Sequence, residues 1–504
     1  MLARTRRLRA VLLFAAVAAA AVLVDLGSMH RLEQGDSIVP VLVSLQRWTP
    51  FYWYQERYGM LVPLLAMPVR DPLWNLLVQR FLLVLAGLAA LPLLARHVLP
   101  DRDWPLAGGL AAALLFAAPE VWRFEYLGDQ PYGLSLALAL AGLALAEPLH
   151  EEVLARPGVQ TLFAHPARLA TGLALVIAAH WVNAATGVLL VALAGARAAV
   201  DALEGDPAAE IRARLAVDVG LLAAGLAAGQ AFLHLWPAAT GNPLRLHASP
   251  LPPGEWPRAW SAFLGNAWRE AGVWRAALGG CAAAGVATLA AVPRLRPALP
   301  GAVLRAAALC LAALAYALFA GSLRWVEENA FHWRYLAPSA VLVHLAGASL
   351  LAEALARLRT VARPLAAAAV ALVPAAALAV SGVPSLARVR ADLDAAAGRL
   401  TPDVLAARCD LVAGSYWSVW PAVWHAGLVR RERGDGRGLW GISHRSNPTL
   451  DAWGARRGPA LRVCVPVGED ADAERWLRAY HLWPVRELER RGTVSVRAPA
   501  APAP

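Results

Sequence analysis

Apolar runs and polar interruptions alternate along most of the chain at a spacing that predicts membrane-crossing helices. After Arg4, Arg6, Arg7 and Arg9, an apolar run extends to about Val24. Further apolar stretches cover 73–95, 105–121, 131–147, 167–183, 185–200, 215–236, 271–292, 301–320, 335–355 and 364–383. With the first, that makes about eleven spans. Several are short for a hydrocarbon core roughly 30 Å thick. They are rich in Ala, Leu, Val and Gly, which lets helices approach closely in lipid. The expected fold class is an α-helical polytopic membrane protein. The first run is read as a retained span, not a cleaved signal peptide, because many spans follow and no persuasive cleavage site precedes Asp25.

The pattern changes near Ser385. CDLVAGSYW, GLWGIS, LRVCVPV and TVSVR are short apolar segments between turn residues and predict strands. Arg388–Leu400 and Asp472–Tyr480 predict helices. Three divisions are therefore expected: a multi-span domain over 1–384, a small α/β domain over 385–497 and a disordered Ala-Pro tail over 498–504.

Loop charges give the spans a direction. The N-terminal Arg cluster and the short basic loops PRLR (293–296) and RLRTVAR (357–363) mark the cytoplasmic side. Three more loops fall inside with them: 96–102, 150–168 and 201–214. The outer loops are then 26–72, 122–130, 237–270, 321–334 and the tail. An odd number of spans puts the C-terminal domain outside the cytoplasm.

Composition narrows the function classes. The chain has 504 residues, of which 58% are hydrophobic and only 16% charged, against about a quarter charged in soluble domains. The net charge is +11 and every basic residue is Arg. These Arg lie beside spans instead of on one soluble face, which argues against nucleic-acid binding. Cys281 and Cys310 lie in apolar segments. Cys409 and Cys464 lie in the 385–497 domain, where an oxidising compartment would permit a disulfide. No internal repeat, GxGxxG, P-loop, GxSxG or zinc-type spacing is present.

The placement of polar residues separates an enzyme of the membrane surface from a transporter. A transporter carries ionisable groups near span centres, and here the centres are nearly bare. Polar groups gather at outer ends: Asn75, Gln79 and Arg80; His180 and Asn183; Gln230 and His234. The outer loops add Glu33, Asp36, Arg57, Arg123, Glu125, Asp129, Arg324, Glu327, Glu328, His332 and Arg334. The first outer loop, EQGDSIVPVLVSLQRWTPFYWYQERY, also carries Trp48, Phe51, Tyr52, Trp53, Tyr54 and Tyr58. Such rings favour the headgroup level. Taken singly, a loop carboxylate is more often a solvated charge and a span-end His a packing residue. The convergence of five outer segments is the signal.

With Glu33 and Asp36 in EQGD, Glu125 and Asp129 in FEYLGDQPYG, and RYLAP at Arg334–Pro338, the layout resembles the GT-C superfamily of integral-membrane glycosyltransferases. The resemblance covers residues 1–383 by architecture. It implies a bacterial inner-membrane enzyme that moves a sugar from a polyprenyl-phosphate donor to a glycan, lipid or protein acceptor outside the cytoplasm. Within it, Asp36 is the first choice for the general base and Glu33 the second. Arg57 and Arg334 would meet the donor phosphate, because a guanidinium matches phosphate in a bidentate way. Glu125, Asp129, Glu327 and His332 would line the substrate region, and Trp53 and Tyr54 would stack on sugar or anchor at the interface. Carboxylates could hold a divalent metal, although no ligand spacing marks one. Two other classes fit the same outer surface: a non-enzymatic carrier or scaffold for lipid-linked glycans, and an O-antigen-ligase-like enzyme of different fold.

Overall fold

The computed structural model of the chain describes residues 2–53, 59–99, 104–155, 165–240, 249–358, 362–444, 460–483 and 485–499. The chain forms two compact units, one of Met1–Val24 with Leu83–Gly382 and one of Asp25–Leu82 with Val383–Pro504. The second boundary falls beside the composition change at Ser385. The expected C-terminal domain is larger than its own sequence, because the first outer loop and the start of the next helix belong to the same compact unit.

Each apolar stretch expected to span carries a helix, although the one over 105–121 is helical only to Leu115 and resumes at Glu120. Among the described residues, six helices are long and apolar enough to cross a membrane, up to eight if two bent pairs each count as one span. The six are Pro72–Val98, Tyr132–Leu154, Ala185–Glu204, Ala208–Trp236, Pro293–Gly321 and Trp333–Arg357. Ala10–Asp25, Trp104–Leu115 and Pro166–Val182 are shorter apolar helices. The chain is thus an α-helical, multi-pass membrane protein. Close approach needs small residues: a Cβ at Gly142 would lie 2.6 Å from the Gly172 carbonyl oxygen, so the Tyr132–Ala155 and Pro166–Val182 helices pack backbone to backbone.

The second unit is built on a five-stranded sheet. Its strands are β1 (Leu411–Ala413), β2 (Trp440–Ile442), β3 (Val463–Pro466), β4 (Val485–Arg491) and β5 (Val494–Pro499). Their order is β2-β1-β3-β5-β4. β1 runs parallel to β2 and β3, and β5 runs antiparallel to β3 and β4. Alternation sorts the side chains. Val412 and Cys464 face one core; Leu411, Ala413, Val463 and Val465 face the other. The first core includes the Leu386–Ala397 and Tyr416–Glu432 helices; Ala473 and Leu477 of the Asp470–Ala479 helix fill the second. Cys409 and Cys464 form a disulfide. β5 runs to Pro499, so residues 498–499 of the expected disordered tail are strand; 500–504 lie outside the described residues.

Candidate functional site

The loop after the first apolar helix contains a helix of its own, Gly35–Leu45. Its start is set locally. The Gln34 backbone N–H donates to Ser37 Oγ at 2.8 Å as part of a capping box. The apolar run IVPVLV gives it a buried stripe, and Ile38, Val39, Val41, Leu42 and Val43 share one core with Val419, Trp420 and Val423 of the Tyr416–Glu432 helix. Gly35 permits the contact, since a Cβ there would lie 2.6 Å from the Tyr416 ring.

Asp36 is half-buried in the first turn of this helix, where the exposed N–H groups favour a carboxylate. The Tyr416 hydroxyl donates to Asp36 Oδ1 at 2.8 Å. Tyr52 closes the cluster: its hydroxyl contacts that of Tyr416 and lies 3.4 Å from the Asp36 carbonyl. Pro40 has no N–H with which to close the helical bond to that carbonyl, so the Tyr52 contact falls on an acceptor the helix leaves open. Tyr416 is fixed in turn. Ser415 caps its helix, and Glu469 accepts from the Ser415 N–H at 2.7 Å and the Ser418 hydroxyl at 2.6 Å. The exposed His444 ring lies tilted against that of Tyr416, with centroids 4.6 Å apart.

Glu33, three residues earlier, has a different environment. Its side chain is fully enclosed, and it accepts from Arg80 Nε at 2.7 Å and Nη2 at 2.8 Å. Arg80 Nη2 also donates to the Ser37 carbonyl at 2.6 Å. His30 lies on the other side, with Nδ1 3.3 Å from Glu33 Oε1 and Nε2 2.6 Å from the Asp25 carbonyl. Burial alone would raise the Glu33 pKa. The Arg80 charge, hydrogen bonds from His30 and Arg80 and the His30 charge outweigh it and hold the carboxyl at about 2. Burial alone would likewise lower the His30 pKa, but Glu33 and Asp25 raise it above its usual value. An imidazolium can then donate from both nitrogens. A carboxylate so acidic and so enclosed is a weak base, and its geometry is that of a pin holding Asp25–Ser37 to the Pro72–Val98 helix.

Other polar groups read as surface chemistry are also pins. Asn75 Nδ2 donates to Ser44 Oγ and to the carbonyls of Ala66 and Val69, and Gln79 Nε2 donates to Asn75 Oδ1. Trp53 corrects the aromatic-belt expectation for its position. Its ring is wholly buried, edge-on to Trp420 with centroids 5.5 Å apart, and presents no face to a sugar or an interface. Tyr54 and Arg57 lie outside the described residues.

The remaining expected site residues belong to the helical unit. Glu125 and Asp129 begin and end a π-helical turn, EYLGD, and both are buried. Gln130 Nε2 donates to Asp129 Oδ2 at 2.6 Å, and Tyr126 donates to the Gly87 carbonyl at 3.1 Å. Beside this turn, Trp122 stacks on Trp333 at 4.5 Å and meets Trp274 edge-on at 5.4 Å. That cluster links the loops that hold Glu125 and Arg334. Arg334 is half-buried, with Nη2 donating to Asn329 Oδ1 at 3.3 Å and to the Tyr335 hydroxyl at 3.1 Å. His332 is exposed and accepts from the Arg334 N–H at 3.2 Å. Ala330 and Phe331 just before it have φ of 54° and 53°, a left-handed backbone that costs energy in non-glycine residues. Glu327 is occupied by Arg258 in a 2.7 Å surface ion pair.

Among the described residues no group of three or more His, Cys, Asp or Glu is arranged to hold a metal ion. The arrangement at Asp36 offers a half-buried carboxylate, oriented by a tyrosine and fixed at a helix N-terminus. Tyr416 was not singled out from the sequence. The local signal is Ser415, an N-cap residue preceding an aromatic helix, but nothing in the sequence pairs it with Asp36.

No family model and no curated protein matches this chain. Two solved structures are similar to it over almost its whole length. The crystal structure of ArnT from Cupriavidus metallidurans bound to undecaprenyl phosphate is 14% identical, with a TM-score of 0.48 over 97% of this chain and 98% of that one. The apo state of the same protein is 13% identical, with a TM-score of 0.46 over the same shares.

Proposed function

We propose that this chain is a membrane glycosyltransferase that moves a sugar from a polyprenyl-phosphate donor to an acceptor outside the cytoplasm, with Asp36 as general base. The observation that carries the reading is the Tyr416 hydroxyl, 2.8 Å from Asp36 Oδ1, at the start of the loop that follows the first apolar helix. A general base must be held within hydrogen-bond reach of the proton it takes. A carboxylate steered by a tyrosine and backed by a helix N-terminus meets that requirement. Glu33 does not, because Arg80 and His30 consume its oxygens.

In the reaction, Asp36 removes the acceptor hydroxyl proton as the new bond to the anomeric carbon forms. The bond from that carbon to the donor phosphate oxygen breaks, and the lipid phosphate leaves with the electron pair. Arg334 is the proposed phosphate partner, because its planar fork matches phosphate oxygens. Glu125, Asp129 and His332 are proposed to bind sugar or acceptor. The second unit is proposed to lie outside the cytoplasm and the N-terminus inside. Basic inner loops support this orientation, and so does the Cys409–Cys464 disulfide, which suits an oxidising compartment.

The test is sugar transfer in membranes from a radiolabelled polyprenyl-phosphate sugar, with donor retention measured separately. Asp36→Asn is expected to retain donor and to lose transfer by about a hundredfold or more. Near-normal transfer by Asp36→Asn would refute Asp36 as base. A wild type that retains donor but never transfers sugar would favour the carrier reading.

A further inference from the structure

We propose that the helical unit holds a second ligand site, a cavity that binds a phosphate group, with a membrane phospholipid as its source. The cavity has a volume of about 360 Å³ and is formed where four helices carry their charged ends. Arg96 and His97 come from the Pro72–Val98 helix, Glu147 and His150 from Tyr132–Ala155, Arg197 from Ala185–Glu204, and Arg214 and Asp218 from Ala208–Thr240. The adjoining loops, 96–102, 150–168 and 201–214, are those expected on the cytoplasmic side. The cavity therefore has no part in the proposed transfer chemistry, which uses the outer loops.

Glu210 also lines the cavity, and the other charges in it are mostly spent on one another. Asp218 is buried well inside an apolar helix, where a lone carboxylate is costly. His150 approaches one of its oxygens at 3.0 Å and His97 the other at 3.9 Å, from two different helices. Glu147 takes Arg96 at 2.7 Å. Asp201 takes Arg214 through Oδ2. Among the described residues, Arg197 meets a carboxylate only at that same Asp201 oxygen, at 3.9 Å, which is too long for a hydrogen bond. Arg197 thus lines the cavity with donors that no protein acceptor holds closely. A guanidinium in that position suits a phosphate oxygen pair.

The rest of the wall selects the source. Leu93, Leu140, Leu143 and Leu154 line the same cavity, so an acyl chain can lie along one side while a headgroup phosphate meets Arg197 on the other. Anionic headgroups are abundant at a cytoplasmic membrane surface, and each nearby Arg adds to their attraction.

The test uses the purified full-length chain in detergent. Its thermal unfolding is followed with added dioleoylphosphatidylglycerol, with dioleoylglycerol, which has the same chains without phosphate, and with inorganic phosphate. The phosphatidylglycerol is expected to raise the melting temperature and the dioleoylglycerol to leave it unchanged. Arg197→Ala should weaken the phosphatidylglycerol response by about tenfold in concentration, the scale of one charge-assisted hydrogen bond. A response to inorganic phosphate that equals the lipid's and is lost in Arg197→Ala supports the phosphate site and assigns it to free phosphate. Equal responses to both dioleoyl lipids, or an undiminished response in Arg197→Ala, overturn the proposal. Native mass spectrometry of the wild type gives a readout that needs no variant: one retained phospholipid or phosphate per chain is expected, and a chain that carries neither and responds to neither overturns the site.

Discussion

Glu33 and Arg80 lend themselves to a quantitative test. Both side chains are fully enclosed and joined by hydrogen bonds of 2.7 and 2.8 Å. Replacing Glu33 by Met leaves a buried guanidinium facing a buried imidazolium, and removing one partner of such a pair costs about 3–5 kcal/mol. The pKa leads to the same scale. A fall from 4.5 to about 2 corresponds to about 3 kcal/mol at about 1.4 kcal/mol per pH unit. Replacing both residues by Met removes the uncompensated charge and is expected to be within about 1 kcal/mol of the wild type. In a unit of this size, about 3 kcal/mol moves the melting temperature by roughly 6–12 °C. Glu33→Met and Arg80→Met should each show such a loss in detergent-solubilised protein, and the double variant should recover most of it. The pH dependence carries a sign. Because the Glu33 pKa is lowered, its contribution is complete above about pH 4.5 and is lost as the pH falls toward 2. Because the His30 pKa is raised, its contribution is complete below pH 6.5 and is lost as the pH rises through that raised value. Glu33→Met should flatten both limbs. If the double variant is as unstable as the sum of the two single ones, the pair is not coupled and the pinning role fails.

Three further outcomes are expected. Tyr416→Phe keeps the ring against Gly35 and removes the donor to Asp36, so turnover should fall about tenfold or more while donor retention is unchanged; an unaltered turnover number would remove Tyr416 as a positioning residue. Arg334→Lys keeps the charge and loses the planar fork, so transfer should drop with the protein still folded, and full donor binding and turnover in Arg334→Ala would refute the phosphate contact. Topology reporters fused near residue 385 should be active outside the cytoplasm and silent inside, and a cytoplasmic signal would reverse the orientation.

The long apolar helices were legible in the sequence because Ala/Leu/Val runs admit few alternatives, whereas Gly35–Leu45 was read as loop and Tyr416–Glu432 was not expected, its first residues being read as strand. Four of the five strands were legible from short apolar segments between turn residues. β4 was not: VRELERR is charged on both faces, as suits an edge strand, and alternation says nothing there. Asp36 and Glu33 were visible as acidic residues just after a span. The difference between them was not, because it depends on Arg80 and Tyr416, 47 and 380 positions away from their respective partners. Trp53 was misleading for the same reason. A tryptophan in an outer loop resembles an interfacial ring until Trp420 is known to lie against it.

The shared core of the first loop and the C-terminal residues has a consequence for biosynthesis. Ile38, Val39 and Trp53 are buried together with Val412, Trp420 and Val496. A ribosome adding about 5–20 residues per second needs roughly 20–80 s to pass from Asp36 to Tyr416, 380 positions later. During that interval the loop has its nearby partners, Leu76, Leu77 and Arg80, but none of those supplied by the C-terminal residues. The last-made quarter of the chain therefore completes the first-made loop, and a truncation in the tail would expose apolar surface near the N-terminus.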